Sequence, residues 1–244
     1  MRNLIYFYSM IFEKLLGDID AGNVLDVGCG SGQFTEILVG KLRSFNTITG
    51  IDVDEESLSE AVEKFHNDKF RFLKAGSQEL PFEDESFDLV VISKALHHVE
   101  DPEASLGEMK RVLRAGGYFM INEMHRDQLT DSQESHKLYH HLRSEIDNIL
   151  GISHNQTFYR EDLLKLSDGL GLRERTILEF SPPPDNAKDP ENISEFIQKM
   201  DGWMHWLDGH SKRSSFEKRV EDLKSRFRKY GISRPPQLVI LGKK

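Results

Sequence analysis

The residues best suited to hold a charged ligand lie in N-V-L-D-V-G-C-G-S-G-Q-F-T, residues 23–35. Asp26 stands two residues before the first of three glycines at alternate positions, Gly28, Gly30 and Gly32. Without Cβ atoms, such a turn bends sharply and lets a ligand approach the backbone. A helix over 33–43 would point its unpaired N–H groups back at the turn. A dinucleotide site reads G-x-G-x-x-G and seats a pyrophosphate on the helix end. Here the spacing is G-x-G-x-G, and the carboxylate beside it would repel a pyrophosphate but suit an ammonium group. A second acid, Asp52, ends T-I-T-G-I-D, residues 47–52. It falls about 20 residues past the turn, where a doubly wound fold sets a carboxylate on ribose hydroxyls. Proton transfer near neutral pH falls to histidine, and His97, His98, His125 and His154 are the candidates, with His98 and His125 foremost. The alternative for His97 and His98 is that they shape a loop and cap a helix.

The elements that must position these groups can be read from periodicity. Val24, Leu25 and Val27 form a short run apolar on both faces, as a buried parallel strand requires. Further strands are predicted at 47–52, from 70, at 84–93 and up to Ile121, with helices between them. The Gly116-Gly117 pair reads as the stop of the helix before the fifth strand. This alternation predicts an α/β fold, a doubly wound, mostly parallel seven-stranded sheet with helices on both faces.

V-L-D-V-G-C-G-S-G resembles the first motif of the class I S-adenosylmethionine-dependent methyltransferases. That cofactor carries a nucleoside, a sulfonium and an amino acid end, and no phosphate. The later runs L-P-F-E-D-E-S-F-D, L-H-H and R-V-L-R-A-G-G are similar to further motifs of the family, so the resemblance runs from Val24 to Ile121. It is closest to the small-molecule, type 11-like subgroup. It implies methyl transfer from S-adenosylmethionine to a small-molecule acceptor by in-line displacement, with S-adenosylhomocysteine as product. It also implies cofactor contacts at Asp26, Gly28, Cys29, Gly30, Gly32, Asp52, Val53 and Ser93, with Val53 against the adenine face. Where the family usually has an adenine-binding Asp, this chain has Gly76; Ser77 and Gln78 either replace it or are ordinary loop polarity. Tyr6 and Tyr8 either close on the cofactor's amino acid end, as N-terminal tyrosines do in similar enzymes, or pack their helix. With His98, His125 and His154 they are the acceptor-side candidates.

Composition bounds the rest. The chain has 244 residues, enough for one large core with a small cap. Its net charge of -9, from 41 acids against 32 bases, argues against a nucleic-acid partner. The basic run over 212–229 is broken by acids one turn away and reads as a solvated helix. Cys29 is the single cysteine, so no internal disulfide can form. With no membrane span and no signal peptide in view, a cytoplasmic location is expected.

Residues 1–244 are expected to form a single methyltransferase domain. An N-terminal lid helix spans 1–20, the cofactor-binding half 21–122, and a substrate-side half 123–180. A helical insertion over 181–236 precedes the last strand, 237–244. The insertion either packs at the substrate mouth or makes a homodimer contact; alternatively the sheet has fewer strands and the tail is a separate cap. Trp203 and Trp206 within it read as one buried anchor and one partly exposed ring. His136, His140 and His141 have spacing that can bind zinc, but no cysteine pair or carboxylate pattern accompanies them, and no metal is expected; the helix reads as solvated there. Two other functions stay open: a non-catalytic S-adenosylmethionine-binding sensor or assembly domain, and an NAD(P)-dependent oxidoreductase.

Overall fold

The computed structural model describes residues 10–182 and 187–244. Seven strands, β1 (Asp20–Val27), β2 (Ser44–Asp52), β3 (Phe70–Lys74), β4 (Phe87–Ser93), β5 (Leu113–Met124), β6 (Arg173–Phe180) and β7 (Gln237–Lys243), form one sheet in the order β3-β2-β1-β4-β5-β7-β6. The first five are parallel, and β7 runs antiparallel to both β5 and β6. The helices are α1 (residues 10–16), α2 (Gln33–Lys41), α3 (Glu55–Lys64), α4 (Pro102–Val112), α5 (Asp131–Ile149), α6 (Arg160–Gly169), α7 (Pro190–Trp206) and α8 (Arg213–Tyr230).

The apolar strand runs bury both faces. Leu25, Val27, Val90 and Ile92 join Leu106, Met109 and Val112 of α4 and Leu163 of α6 in one core. Val24, Ile48, Leu89 and Val91 point the other way, onto Phe12 and Leu16 of α1 and Phe34 and Leu38 of α2. The sequence places residues 1–20 as a lid, but the described part of α1 belongs to this second core. Phe12 is fully buried, edge-on to Phe34 at 5.2 Å, a burial worth about 2–3 kcal/mol. Tyr6 and Tyr8 lie outside the described residues.

Local chemistry sets the element ends near the site. Asp101 accepts a hydrogen bond from the Ala104 N–H at 3.0 Å, and Pro102 opens α4. Thr130 and Gln133 form a reciprocal capping box at the start of α5. Gly116-Gly117 is not the helix stop expected from sequence. The helix ends at Val112, and the glycines sit inside β5, beside a register shift against β4. Leu113 is buried and extended, which turns the chain into the sheet before the glycines are reached.

β6 and β7 pair as neighbours, with α7 and α8 between them in sequence. Because β7 is interior to the sheet, the alternative of a separate tail cap does not hold. The two helices pack on α5, not on the sheet: Leu142 and Ile146 meet Trp203, Met204, Phe216 and Phe227. Trp203 is buried and Trp206 is exposed beneath the Arg143 guanidinium, as the sequence led us to expect. The apolar side of the insertion is thus spent within the chain. Arg213 pairs with Glu217 and Lys224 with Glu221 along α8. Leu138 of α5 and Leu150 just past its end are exposed. Among the described residues no helix is long and apolar enough to cross a membrane.

Candidate cofactor and acceptor site

The glycine turn joins the carboxyl end of β1 to α2 and is stitched to β2. The Gly28 and Cys29 N–H groups both donate to the Ile51 carbonyl, at 2.8 and 3.0 Å. Gly28 has φ +68°, and a Cβ there would overlap the Ala95 methyl, so the turn after β4 abuts the glycine turn. A Cβ on Gly30 would meet nothing within 4 Å: this is the open side. Gly32, in the left-handed conformation, starts α2 without a side-chain cap. Its helix N–H groups therefore remain a positive end facing the turn. The Cys29 thiol is buried against Gly50, and burial raises its pKa. It fills a crowded corner.

Asp26 is fully buried on the α2 side of the sheet. Its Oδ2 accepts from the Thr35 hydroxyl at 2.7 Å, while Oδ1 is buried without a hydrogen-bond partner. Desolvation raises its pKa to about 7, opposed by the Thr35 bond and reinforced by the Asp52 charge. Asp52 is half-buried at the end of β2. Its Oδ2 accepts the Gly30 N–H at 2.8 Å and its Oδ1 the Asp54 N–H at 3.0 Å. Each oxygen keeps a second lone pair. Val53 follows with 66% of its surface exposed, a large apolar group beside an open turn.

The loop after β3 is pinned to α4. Glu108 accepts from the Leu80 N–H at 3.0 Å, and Arg111 donates to the Leu80 and Phe82 carbonyls at 3.1 and 2.9 Å. The L-P-F and R-V-L runs are therefore partners across that loop. Gly76 is exposed with free space at its Cβ position. The Ser77 hydroxyl bonds that of Ser105 at 2.9 Å, so it anchors the loop, while Gln78 is exposed. Ser93 is buried and accepts from the Asn122 amide at 2.8 Å, tying the ends of β4 and β5.

The histidines divide into two groups. His125 is buried, with Asp127 and Glu179 each 3.4 Å from a ring nitrogen, toward the β6 edge. Burial lowers its pKa against those two carboxylates. His97, His98 and His154 come together, joined by His140 from α5. Ring centroids lie 4.3 Å apart for His97 and His98, 4.2 Å for His98 and His154, and 4.6 Å for His140 and His154. His97, His140 and His154 are buried and His98 faces solvent. The solvated helix face expected for 136–141 is therefore an inward face. His140 is buried, and half-buried His141 bonds the Thr157 hydroxyl at 2.8 Å. Desolvation, then the neighbouring imidazoles, lower the pKa of His140. For His154 desolvation outweighs the Asp147 hydrogen bond, and the pKa falls. The pKa of His98 is lowered too, by partial desolvation of the ring and then by its neighbours, although its outer edge reaches solvent.

Residues 25–121 match the family described as a methyltransferase domain, of the type 11 kind. Over these residues the chain is similar to class I methyltransferase domains. A curated relative of the methyltransferase domain is the demethylmenaquinone methyltransferase of Staphylococcus aureus, 37% identical over 116 residues, covering 47% of this chain and 48% of that protein. The match spans about half the length of such relatives. Among solved structures, the YcgJ protein from Bacillus subtilis has a TM-score of 0.61 at 19% identity, over 98% of both chains. Haemonchus contortus phosphoethanolamine N-methyltransferase 2, solved with S-adenosylhomocysteine, has a TM-score of 0.60 at 16% identity, covering 98% of this chain and 52% of that one. At these identities the structural likeness concerns the fold. The oxidoreductase alternative gains no support from these matches.

Proposed function

We propose that the chain binds S-adenosylmethionine and transfers its methyl group to a small-molecule acceptor, releasing S-adenosylhomocysteine. One observation carries the reading: the Asp52 carboxylate is locked onto the Gly30 N–H beside the open side of the glycine turn. Three features fit this cofactor, and the first of them disfavours a diphosphate. Asp26 Oδ1 is a buried acceptor lacking a donor, which an ammonium group would satisfy. Asp52 keeps lone pairs for a ribose diol. Exposed Val53 offers an apolar face to adenine. When bound, the sulfonium cofactor supplies an electrophilic methyl group. What the chain supplies is position: Asp52 fixes the turn, Thr35 holds Asp26, and Arg111 holds the loop after β3. Alignment of this kind is worth about 7–11 kcal/mol in favourable cases.

Free space at Gly76 gives a prediction. Gly76→Asp restores the acceptor the family uses for the adenine amino group, at a position where a Cβ meets nothing within 4 Å. Its expected effect is S-adenosylhomocysteine binding up to about tenfold tighter, one hydrogen bond's worth, read by calorimetry; unchanged affinity would place adenine elsewhere.

The acidic charge supports a small-molecule acceptor over nucleic acid. The single buried thiol of Cys29 supports a reducing compartment such as the cytoplasm. The test is label transfer from methyl-labelled S-adenosylmethionine to a panel of hydroxyl, thiol, amine and activated-carbon acceptors, demethylmenaquinol among them. Acceptor-dependent transfer is expected. Tight product binding without transfer to any acceptor would favour a sensor or assembly domain.

A further inference from the structure

His97, His140 and His154 come from three separate segments, the turn after β4, helix α5 and the loop before α6. All three rings are buried, and one nitrogen of each lies within 4.8 Å of the others. His154 Nδ1 is 2.7 Å from Asp147 Oδ2. A carboxylate oxygen only accepts, so the proton sits on Nδ1 and the Nε2 lone pair faces inward. That Nε2 is 3.0 Å from His140 Nε2. His97 Nδ1 lies 3.0 Å from Oε2 of fully buried Glu123 but outside hydrogen-bonding geometry. Asp147 is itself held by Arg143 at 2.7 Å. His154 is thus backed by a hydrogen-bonded buried carboxylate, the arrangement that orients histidines on a metal, and His97 has a second buried carboxylate beside it.

Hydrogen bonding alone leaves this cluster unbalanced. With the His154 proton on Nδ1, His140 must donate from Nε2. Its Nδ1 is then a bare lone pair, buried without a partner among the described residues. If the His140 proton sits on Nδ1 instead, two Nε2 lone pairs face each other at 3.0 Å. A cation between them removes that repulsion. Nitrogens 2.0–2.1 Å from a tetrahedral zinc stand about 3.4 Å apart, so the pair needs to open by only a few tenths of an ångström.

We propose that His97, His140 and His154 bind one divalent metal ion of the zinc class, with Asp147 orienting the His154 ring. Three protein ligands leave one coordination position open, as in catalytic zinc sites. Imidazole donors favour zinc, cobalt, nickel or copper over magnesium or calcium. The site borders the cofactor turn, because Ala95 packs on Gly28 and His97 follows two residues later. If the methyl-transfer reading holds, the open position would take an oxygen, nitrogen or sulfur atom of the acceptor; metal binding itself does not depend on that reading.

The experiment is cobalt titration of the chelator-treated full chain, followed by visible absorption, with zinc as competitor. One ion per chain with the intense bands of four-coordinate cobalt is expected, displaced by zinc. His140→Ala and His154→Ala should each abolish the bands. Asp147→Asn, which keeps all three ligands, should weaken binding about 10–100-fold. S-adenosylhomocysteine binding, measured on the same proteins, should survive each change. Wild-type protein that binds the product but takes up no stoichiometric cobalt or zinc overturns the proposal and leaves a hydrogen-bonded histidine cluster. Metal uptake without product binding supports the metal site and counts against the methyltransferase function.

Discussion

Asp52→Ala is expected to weaken S-adenosylhomocysteine binding at least about 100-fold while leaving the chain folded. Two losses combine. On the proposed reading the carboxylate accepts from the ribose hydroxyls, and it also holds the Gly30 and Asp54 N–H groups. Charge-assisted hydrogen bonds contribute about 1.5–3 kcal/mol each, and tenfold in affinity is about 1.4 kcal/mol. The residue is half-buried at a strand end, outside both apolar cores, so the melting temperature should move by only a few degrees. Asp52→Asn keeps an acceptor for Gly30 and should lose about tenfold. Product binding within a factor of three of wild type in Asp52→Ala would remove Asp52 from the site.

Asp26→Asn is expected to stabilise the ligand-free chain at pH 8 by up to about 4 kcal/mol. The folded-state pKa of Asp26 is raised to about 7 from an ordinary value of 3.8. A carboxyl with a raised pKa favours the folded state fully below its unfolded value. That contribution is lost as pH rises from about 4 to about 7, at roughly 1.4 kcal/mol per pH unit. Above pH 7 the folded chain carries a buried carboxylate with one oxygen unpartnered. Asparagine keeps an acceptor for Thr35 and removes the charge. The difference in unfolding free energy between the two proteins should therefore be small at pH 4.5 and grow toward pH 8. The same change should weaken product binding, because the ammonium loses its counter-charge. Denaturant unfolding at several pH values, with and without the product, checks both signs. A constant difference across pH would show that Asp26 does not titrate in this range.

The cofactor half was legible because its signals are local. Val24, Leu25 and Val27 are apolar on both faces, the three glycines are closely spaced, and Asp52 ends a buried strand, so neighbouring residues in sequence are neighbours in the site. Gly116-Gly117 misled because glycines after a helical pattern usually cap it, whereas here buried Leu113 had already drawn the chain into β5. The burial of Asp26 follows from strand alternation, which turns it toward Thr35 and α2; its position before the turn gives no such information. The histidine cluster was the least legible. His154 was a candidate and His140 only a rejected zinc spacing, since nothing in sequence brings α5 against the turn after β4. The helix looked solvated on its histidine side because its apolar residues, Leu142 and Ile146, lie elsewhere. They meet α7 and α8, so α5 is buried on two sides and its polar face turns inward.

The most direct measurement is a calorimetric titration of the wild-type chain with S-adenosylhomocysteine at pH 8, with NADH run alongside. One molecule of the demethylated product per chain, and no heat from NADH, is the expected result. Heat from NADH with none from S-adenosylhomocysteine would contradict the assignment of Asp26, Gly30 and Asp52 to a phosphate-free nucleoside carrying an amino acid.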